Sequence, residues 1–142
     1  MATKMFVNLP VKDLPKAQGF FSKLGFQFNP EFTDETAACM VVSDHAYVML
    51  LTHAKFKEFA PQAIADATKT TEVLVALSSE NRSQVDHLVA KAVAAGGSTY
   101  SKPKDYGFMY GHGFRDLDGH VWEVFFMNHV SSRTVRATSD AQ

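Results

Sequence analysis

Apolar positions in the first half of the chain change period twice. Lys4 to Val11 steps with a period of two, with Phe6, Asn8 and Pro10 on one face and Met5, Val7 and Leu9 on the other, which predicts a strand. From Asp13 the spacing becomes helical. Leu14, Ala17, Phe20, Phe21 and Leu24 form a stripe, Asp13 is placed to cap it, Pro15 is tolerated in its first turn, and Gly25 ends it. Phe26 to Phe28 predicts a short strand broken by Asn29-Pro30. Ala37 to Val42 and Ala46 to Leu51 predict two more, joined by Ser43-Asp44-His45. His53 to Lys69 is less regular: Phe56, Phe59 and Ile64 dock it as a short helical segment, and Pro61 interrupts it.

The same order then returns. Glu72 to Leu77 predicts a strand and Ser78-Ser79 a helix cap. Val85, Leu88, Val89, Ala92 and Val93 form a second stripe, stopped by Gly96-Gly97. Ser98 to Ser101 predicts a short strand broken by Lys102-Pro103, and Gly107 to Arg115 and Val121 to Met127 complete the unit around an Asp118-Gly119 turn. The chain therefore predicts an α+β fold of tandem βαβββ modules, at about 4–52 and 71–128, joined by a linker at 53–70. Residues 1–128 form one domain, and the polar, weakly patterned residues 129–142 a loose tail. Each sheet has one face covered by its helix. The other must be buried against its counterpart or a second chain, or line a cavity.

Composition narrows the function classes. The 142 residues are 46% hydrophobic, enough for a substantial core. A net charge of −1 gives no electrostatic footprint for nucleic acid or anionic lipid. The single cysteine, Cys39, lies in a predicted strand; it excludes an internal disulfide and reads as a buried structural thiol in a reducing compartment. No apolar run approaches the ~20 residues that span a bilayer, and the N-terminus lacks a signal-like apolar core. The expectation is a cytoplasmic protein with no membrane or nucleic-acid partner.

The last strand carries the candidate chemistry. Val121, Glu123 and Phe125 point one way and Trp122, Val124 and Phe126 the other, so Glu123 is a lone carboxylate on an otherwise apolar strand and needs a metal, a cation, a donor network or water. Trp122, opposite it, reads as core, and His120 as packed on the turn. Tyr106, Phe108, Tyr110 and His112 alternate onto one face. They form an aromatic pocket wall if that face is the open one and core if it meets the helix; Gly107, Gly111 and Gly113 would let a ligand approach closely. Arg115 either pairs with Asp116 or Asp118 or anchors a ligand carboxylate.

Val11-Lys-Asp13-Leu14, Leu24-Gly25-Phe26, Ala94-Ala-Gly96-Gly97 and Asp116-Leu-Asp118-Gly119-His120-Val-Trp122-Glu123, in that order, resemble the vicinal oxygen chelate superfamily, which includes glyoxalase I, extradiol dioxygenases and bleomycin-binding proteins. The resemblance covers residues 4–128 and is nearest to glyoxalase/bleomycin-resistance-like proteins of the predicted lactoylglutathione lyase type. It implies a cupped eight-stranded mixed sheet with helices outside, enclosing a site, in a homodimer. It also implies a divalent metal among four residues, which fall here on Phe6, approximately Leu50, Glu72 and Glu123. Phe and Leu cannot coordinate a metal. Glu72 and Glu123 would hold one weakly, with a third ligand from His112 or a partner chain. If the resemblance places the first and last strands of a module side by side, the two carboxylates share a proton and serve as an acid/base pair. The expectation is a small-molecule-binding protein with no firmly bound cofactor, its ligand touching Phe6, Asn8, Leu50, Tyr106, Phe108, Tyr110 and His112. The alternative is a glyoxalase-like lyase or isomerase working through Glu123. The ligand's identity cannot be read from alternation.

Overall fold

The computed structural model describes residues 3–128; the predicted tail at 129–142 lies outside them. The elements run β1 (Met5–Val11), α1 (Leu14–Lys23), β2 (Gln27–Phe28), a 3-10 turn (Pro30–Phe32), β3 (Ala37–Val41), β4 (Ala46–Thr52), α2 (His53–Phe59), β5 (Leu74–Ser78), α3 (Arg82–Ala94), β6 (Lys104–Asp105), β7 (Met109–Arg115) and β8 (Val121–Met127). No described helix is long and apolar enough to cross a membrane.

The strands form two four-stranded mixed sheets of equivalent topology, β1-β4-β3-β2 and β5-β8-β7-β6. In each, the first strand pairs in parallel with the last and the rest are antiparallel. The helices form where capping and stripe agree. The Asp13 carboxylate accepts from Lys16 N at 3.1 Å and the Asn81 side chain from Gln84 N at 2.8 Å, each taking up an orphan donor of the first turn. Asn81, and not Ser78-Ser79, is the cap of α3, because β5 runs on through Ser78. Both helices end at a glycine with positive φ, Gly25 at 104° and Gly96 at 110°.

In the second module several strand boundaries differ from the sequence pattern, β7 among them, which starts at Met109 and not Gly107. β5 starts at Leu74, so Glu72 lies before it. Residues 98–101 make only an isolated bridge, Ser98 with Arg115. The short strand of this module is instead Lys104–Asp105, past the break at Lys102-Pro103.

Both modules place their helix-facing sides in one core. Leu9, Val11, Val48 and Leu50 of the first sheet meet Phe114, Trp122 and Val124 of the second through Phe20 and Phe21 of α1 and Val85, Val89 and Ala92 of α3. Phe21 lies 5.0 Å from the Trp122 ring and Phe20 6.1 Å from Phe114, so the first helix packs on the second sheet. Cys39 is buried, as read from its strand, and burial pushes its thiol above the ordinary range. The opposite faces of the two sheets are partly open. Phe6, Leu74, Tyr106 and Phe108 are each about half exposed.

The turn between β7 and β8 joins the modules. Asp116 is buried, and its carboxylate accepts from Asp118 N at 2.9 Å, His120 N at 3.0 Å and Trp122 Nε1 at 3.0 Å. The turn so fixed reaches the first module twice: Lys12 N donates to Asp118 Oδ1 at 2.8 Å, and His120 Nε2 donates to the Pro10 carbonyl at 2.7 Å. Removing the carboxylate strands a buried indole N–H and a buried backbone N–H, each costing about 1–3 kcal/mol. Asp116→Ala is therefore expected to lose about 3 kcal/mol or more of unfolding free energy in urea titration, and Asp116→Asn less, since one acceptor oxygen survives. Loss below about 1 kcal/mol in the alanine variant would show that the turn does not depend on this carboxylate.

Candidate functional site

Ladder register decides which side chains share the open faces. On the second sheet, Trp122 pairs with Val75 and Phe114, all in or against the core, so Ala76, Glu123 and Gly113 form the adjacent row on the open side. Glu123 is exposed there, and no hydrogen bond or ion pair engages it among the described residues. It stands in a depression of about 370 Å³ lined by Ala76, Tyr100, Tyr106, Met109, Phe125 and Met127, with Lys102 and Lys104 also on its lining.

Of the other predicted positions, Tyr106 and His112 are on the lining of the same depression and the rest fall elsewhere. Ala76, not Glu72, is the β5 neighbour of Glu123. Four residues separate Glu72 from Ala76, on the order of 13 Å at about 3.3 Å per residue. Glu72 lines a different depression, of about 140 Å³, with Asn8, Pro10, Phe56, His120 and Val121. The two carboxylates therefore do not form a proton-sharing pair. Tyr110 and His112 share the ladder row on the helix side, although His112 also lines the depression over Glu123. The Tyr110 hydroxyl donates to Asp86 Oδ1 of α3 at 2.6 Å, and His112 stands beside Val124 with its Nδ1 buried and unpartnered. Tyr106 remains on the open side, because the turn around Gly107 (φ 82°) interrupts the alternation before β7 begins at Met109. Phe108 is exposed at that turn, its ring 6.4 Å from Tyr106.

In the first module Leu50 pairs with Leu9 and is fully buried in the core, so the open-side residue of β4 at this level is Met49, opposite Asn8. Phe6 is on that side too, stacked on Tyr47 at 4.8 Å. Aligning the helix caps Asp13 and Asn81 sets Asn8 against Ala76 and Met49 against Glu123. The four equivalent inward positions are then Asn8, Met49, Ala76 and Glu123, with one anionic donor between them. Among the described residues no group of three or more His, Cys, Asp or Glu is placed to hold a metal ion. The donor set at these four positions does not fit the divalent metal that the sequence resemblance implies.

Tyr100 is the site residue that the sequence reading lacked. Ser98 and Arg115 exchange both backbone hydrogen bonds, at 2.7 and 3.1 Å, and this bridge brings the segment carrying Tyr100 over β7. A Cβ at Gly113 would collide with the Tyr100 hydroxyl and stand 2.8 Å from the Trp122 carbonyl, so glycine at 113 seats the ring. Arg115 places its guanidinium 5.4 Å from the Tyr100 ring centroid instead of pairing with Asp116 or Asp118. Burial, then the negative charge of Glu123, pushes the phenol above its ordinary range, and Arg115 offsets part of this.

The wall holding Tyr106 is tied to α3. β6 contributes only two paired residues, so a second anchor matters. Arg82 makes a two-pronged bond to Asp105, at 2.6 and 3.1 Å, and lies 5.0 Å from the Tyr110 ring. The Arg82 bonds, with a donor from Gly107 N, depress the Asp105 carboxyl to about 2. Its folded pKa is below the unfolded value of 3.8, so its contribution is present above pH 3.8 and is lost as pH falls through about 2. Amide exchange of residues 104–111 is expected to stay slow at pH 4 and quicken towards pH 2, beyond the intrinsic pH effect. Asp105→Asn should show the faster exchange already at neutral pH. Unchanged protection in that variant would mean that the hairpin holds itself.

Residues 3–43 match the family model for the N-terminal part of bleomycin resistance protein-like chains. Among solved structures, the hypothetical protein SA1046 from S. aureus is 31% identical, covers 89% of this chain and 95% of its own, and superposes with a TM-score of 0.74. A glyoxalase/bleomycin resistance protein/dioxygenase family enzyme from Burkholderia phytofirmans, 17% identical, covers 89% of this chain and 99% of its own at a TM-score of 0.73. A glyoxalase-related enzyme from Fulvimarina pelagi, 19% identical, covers 89% and 88% at 0.74; at these identities the last two show the fold alone. No protein of curated function matches the chain. The chain thus has the fold of proteins named glyoxalase/bleomycin resistance/dioxygenase, and its first 43 residues include a match to the bleomycin resistance protein-like N-terminal model.

Proposed function

We propose that this chain is a small-molecule-binding protein whose ligand lies on the open face of the second sheet, over Glu123. One observation carries the reading: an exposed carboxylate without a bonded partner stands in an apolar and aromatic depression of about 370 Å³. Such a combination, a few polar fixtures in an apolar wall, is what small-molecule sites share. Tyr106 and Phe125 supply flat contact area, and Glu123 orients the ligand.

The site is completed, in this reading, by a second copy. Half-exposed Phe6 and Leu74 on the two open faces favour a homodimer in which the first sheet of one protomer covers the second sheet of the other, giving the eight-stranded cup. Sedimentation velocity at micromolar concentration is expected to show a dimer; monomer throughout that range would refute this part.

A second reading is a lyase or isomerase that moves a proton with Glu123, favoured by the phenol of Tyr100 beside the carboxylate. Assay with hemithioacetals under Mg²⁺, Mn²⁺, Ni²⁺ and Zn²⁺ separates the two. The binding-protein reading expects no turnover that Glu123→Gln abolishes, and turnover lost in that variant would replace it with the enzyme.

A further inference from the structure

Among the polar groups on the lining of the depression, which include Lys102, Lys104 and His112, Tyr100 and Glu123 stand over one strip of sheet, and their chemistry is complementary. Glu123 is an acceptor only. Tyr100 keeps its proton at neutral pH, because burial and the neighbouring carboxylate both oppose ionisation. Its hydroxyl has one partner, the Trp122 carbonyl at 3.5 Å, which is beyond the 2.5–3.0 Å of a good O–H···O bond. The two side chains do not bond each other, although they are close enough for the carboxylate charge to act on the phenol. Both stand over the same strip of sheet: Gly113 pairs with Glu123 across the β7–β8 ladder, and the Tyr100 hydroxyl occupies the space that a side chain at 113 would fill. An underused donor and an unengaged acceptor thus lie side by side on an apolar floor.

Resting on the reading of this face as the ligand site, we infer that Tyr100 and Glu123 together recognise an amide-type edge, a carboxamide or lactam carried on a flat apolar body. Its carbonyl oxygen accepts from the Tyr100 hydroxyl and its N–H donates to Glu123. A ligand carboxylate offers two acceptors and meets the charge of Glu123. An amidinium satisfies Glu123 but offers the Tyr100 O–H no acceptor. A hydrocarbon leaves both polar groups stripped of water and unpaired. Arg115, 5.4 Å from the Tyr100 ring centroid and not on the lining of the depression, holds the phenol and is not needed as a ligand contact.

Four probes of one shape test this on the full chain: benzamide, benzamidine, benzoate and toluene, each titrated against isotope-labelled protein by chemical shift. Benzamide is expected to bind about fivefold to tenfold more tightly than the other three, with shifts at Ala76, Gly111 and Phe125. Tyr100→Phe should weaken benzamide about fivefold, the value of one hydrogen bond, and leave toluene unchanged. Glu123→Ala should weaken benzamide by at least as much. Both replacements are at partly exposed side chains, so the variants should fold, which their unshifted core resonances would establish. Preference for benzamidine would make this a cation site. Preference for benzoate would make it an anion site built on Arg115 and the lysines. Equal binding of all four, or no effect of Tyr100→Phe, would leave a pocket without this recognition. Each of these four results overturns the inference alone. Failure of every probe, toluene included, to shift the lining residues would overturn the pocket reading with it.

Discussion

The structure depends on one buried carboxylate. Asp116 takes two backbone donors of its own turn and the indole N–H of Trp122, and everything that joins the two modules follows from the turn held in that shape. With the turn closed, Asp118 meets the Lys12 amide and His120 meets the Pro10 carbonyl, both across the module boundary. With its nitrogen satisfied, Trp122 can lie fully buried between Phe21 and Phe114. Burial raises the Asp116 carboxyl, while His120 and the hydrogen bonds pull it down. A charge in this position is tolerated because nearly every lone pair has work: the bonds offset what desolvation costs.

That arrangement sets where chemistry can happen. Both sheets turn their helix sides to a common core, so function is left to the opposite faces. On β8 consecutive residues divide the tasks: Trp122 and Val124 are buried, while Glu123 between them projects outward. Packing of Trp122 therefore fixes the direction and height of Glu123 with no contact of its own to the ligand face. Tyr100 is held less deeply, by one bridge and the gap at Gly113, and the Tyr106 hairpin by the Arg82–Asp105 tie. The site grades from a rigid floor to a wall held by an exposed ion pair, the kind that contributes modestly and is screened by salt.

The repeat was legible because its signals are local. Caps, helical stripes and the glycines after each helix sit within a few residues of what they control. Register was not local, and there the pattern was read less well. Period two assigns residues to a face only once the parity is known, and one residue of error exchanges the faces. Alternation alone does not separate Leu50 from Met49 as the open-face residue, nor show that Tyr110 lies on the helix side; the Gly107 turn breaks the run between Tyr106 and His112, both of which line the depression over Glu123. Glu72 failed for a related reason, since β5 starts two residues later than its apolar run suggests. Tyr100 left no signal. Its role depends on a missing side chain at Gly113, which becomes visible only when the bridge at Ser98 folds that segment over β7.

The acidic motif near the end of the chain then has to be divided. Read as a unit, Asp116-Leu-Asp118-Gly119-His120-Val-Trp122-Glu123 suggests a metal-using site. The geometry accounts for Asp116, Asp118, His120 and Trp122 entirely through bonds that build the turn and join the modules, and Gly119 through its φ of 89°. These bonds hold this fold together whatever chemistry the open face carries, so the presence of these residues bears on fold and not on catalysis. Only Glu123 is free of a structural task. What the chain does with its open face rests on that carboxylate and on what stands beside it, and here its neighbours across the ladders are Ala76 and Gly113, with the phenol of Tyr100 filling the gap. In the proposed reading, a carboxylate flanked by a methyl, a glycine and a phenol accepts a hydrogen bond from the ligand.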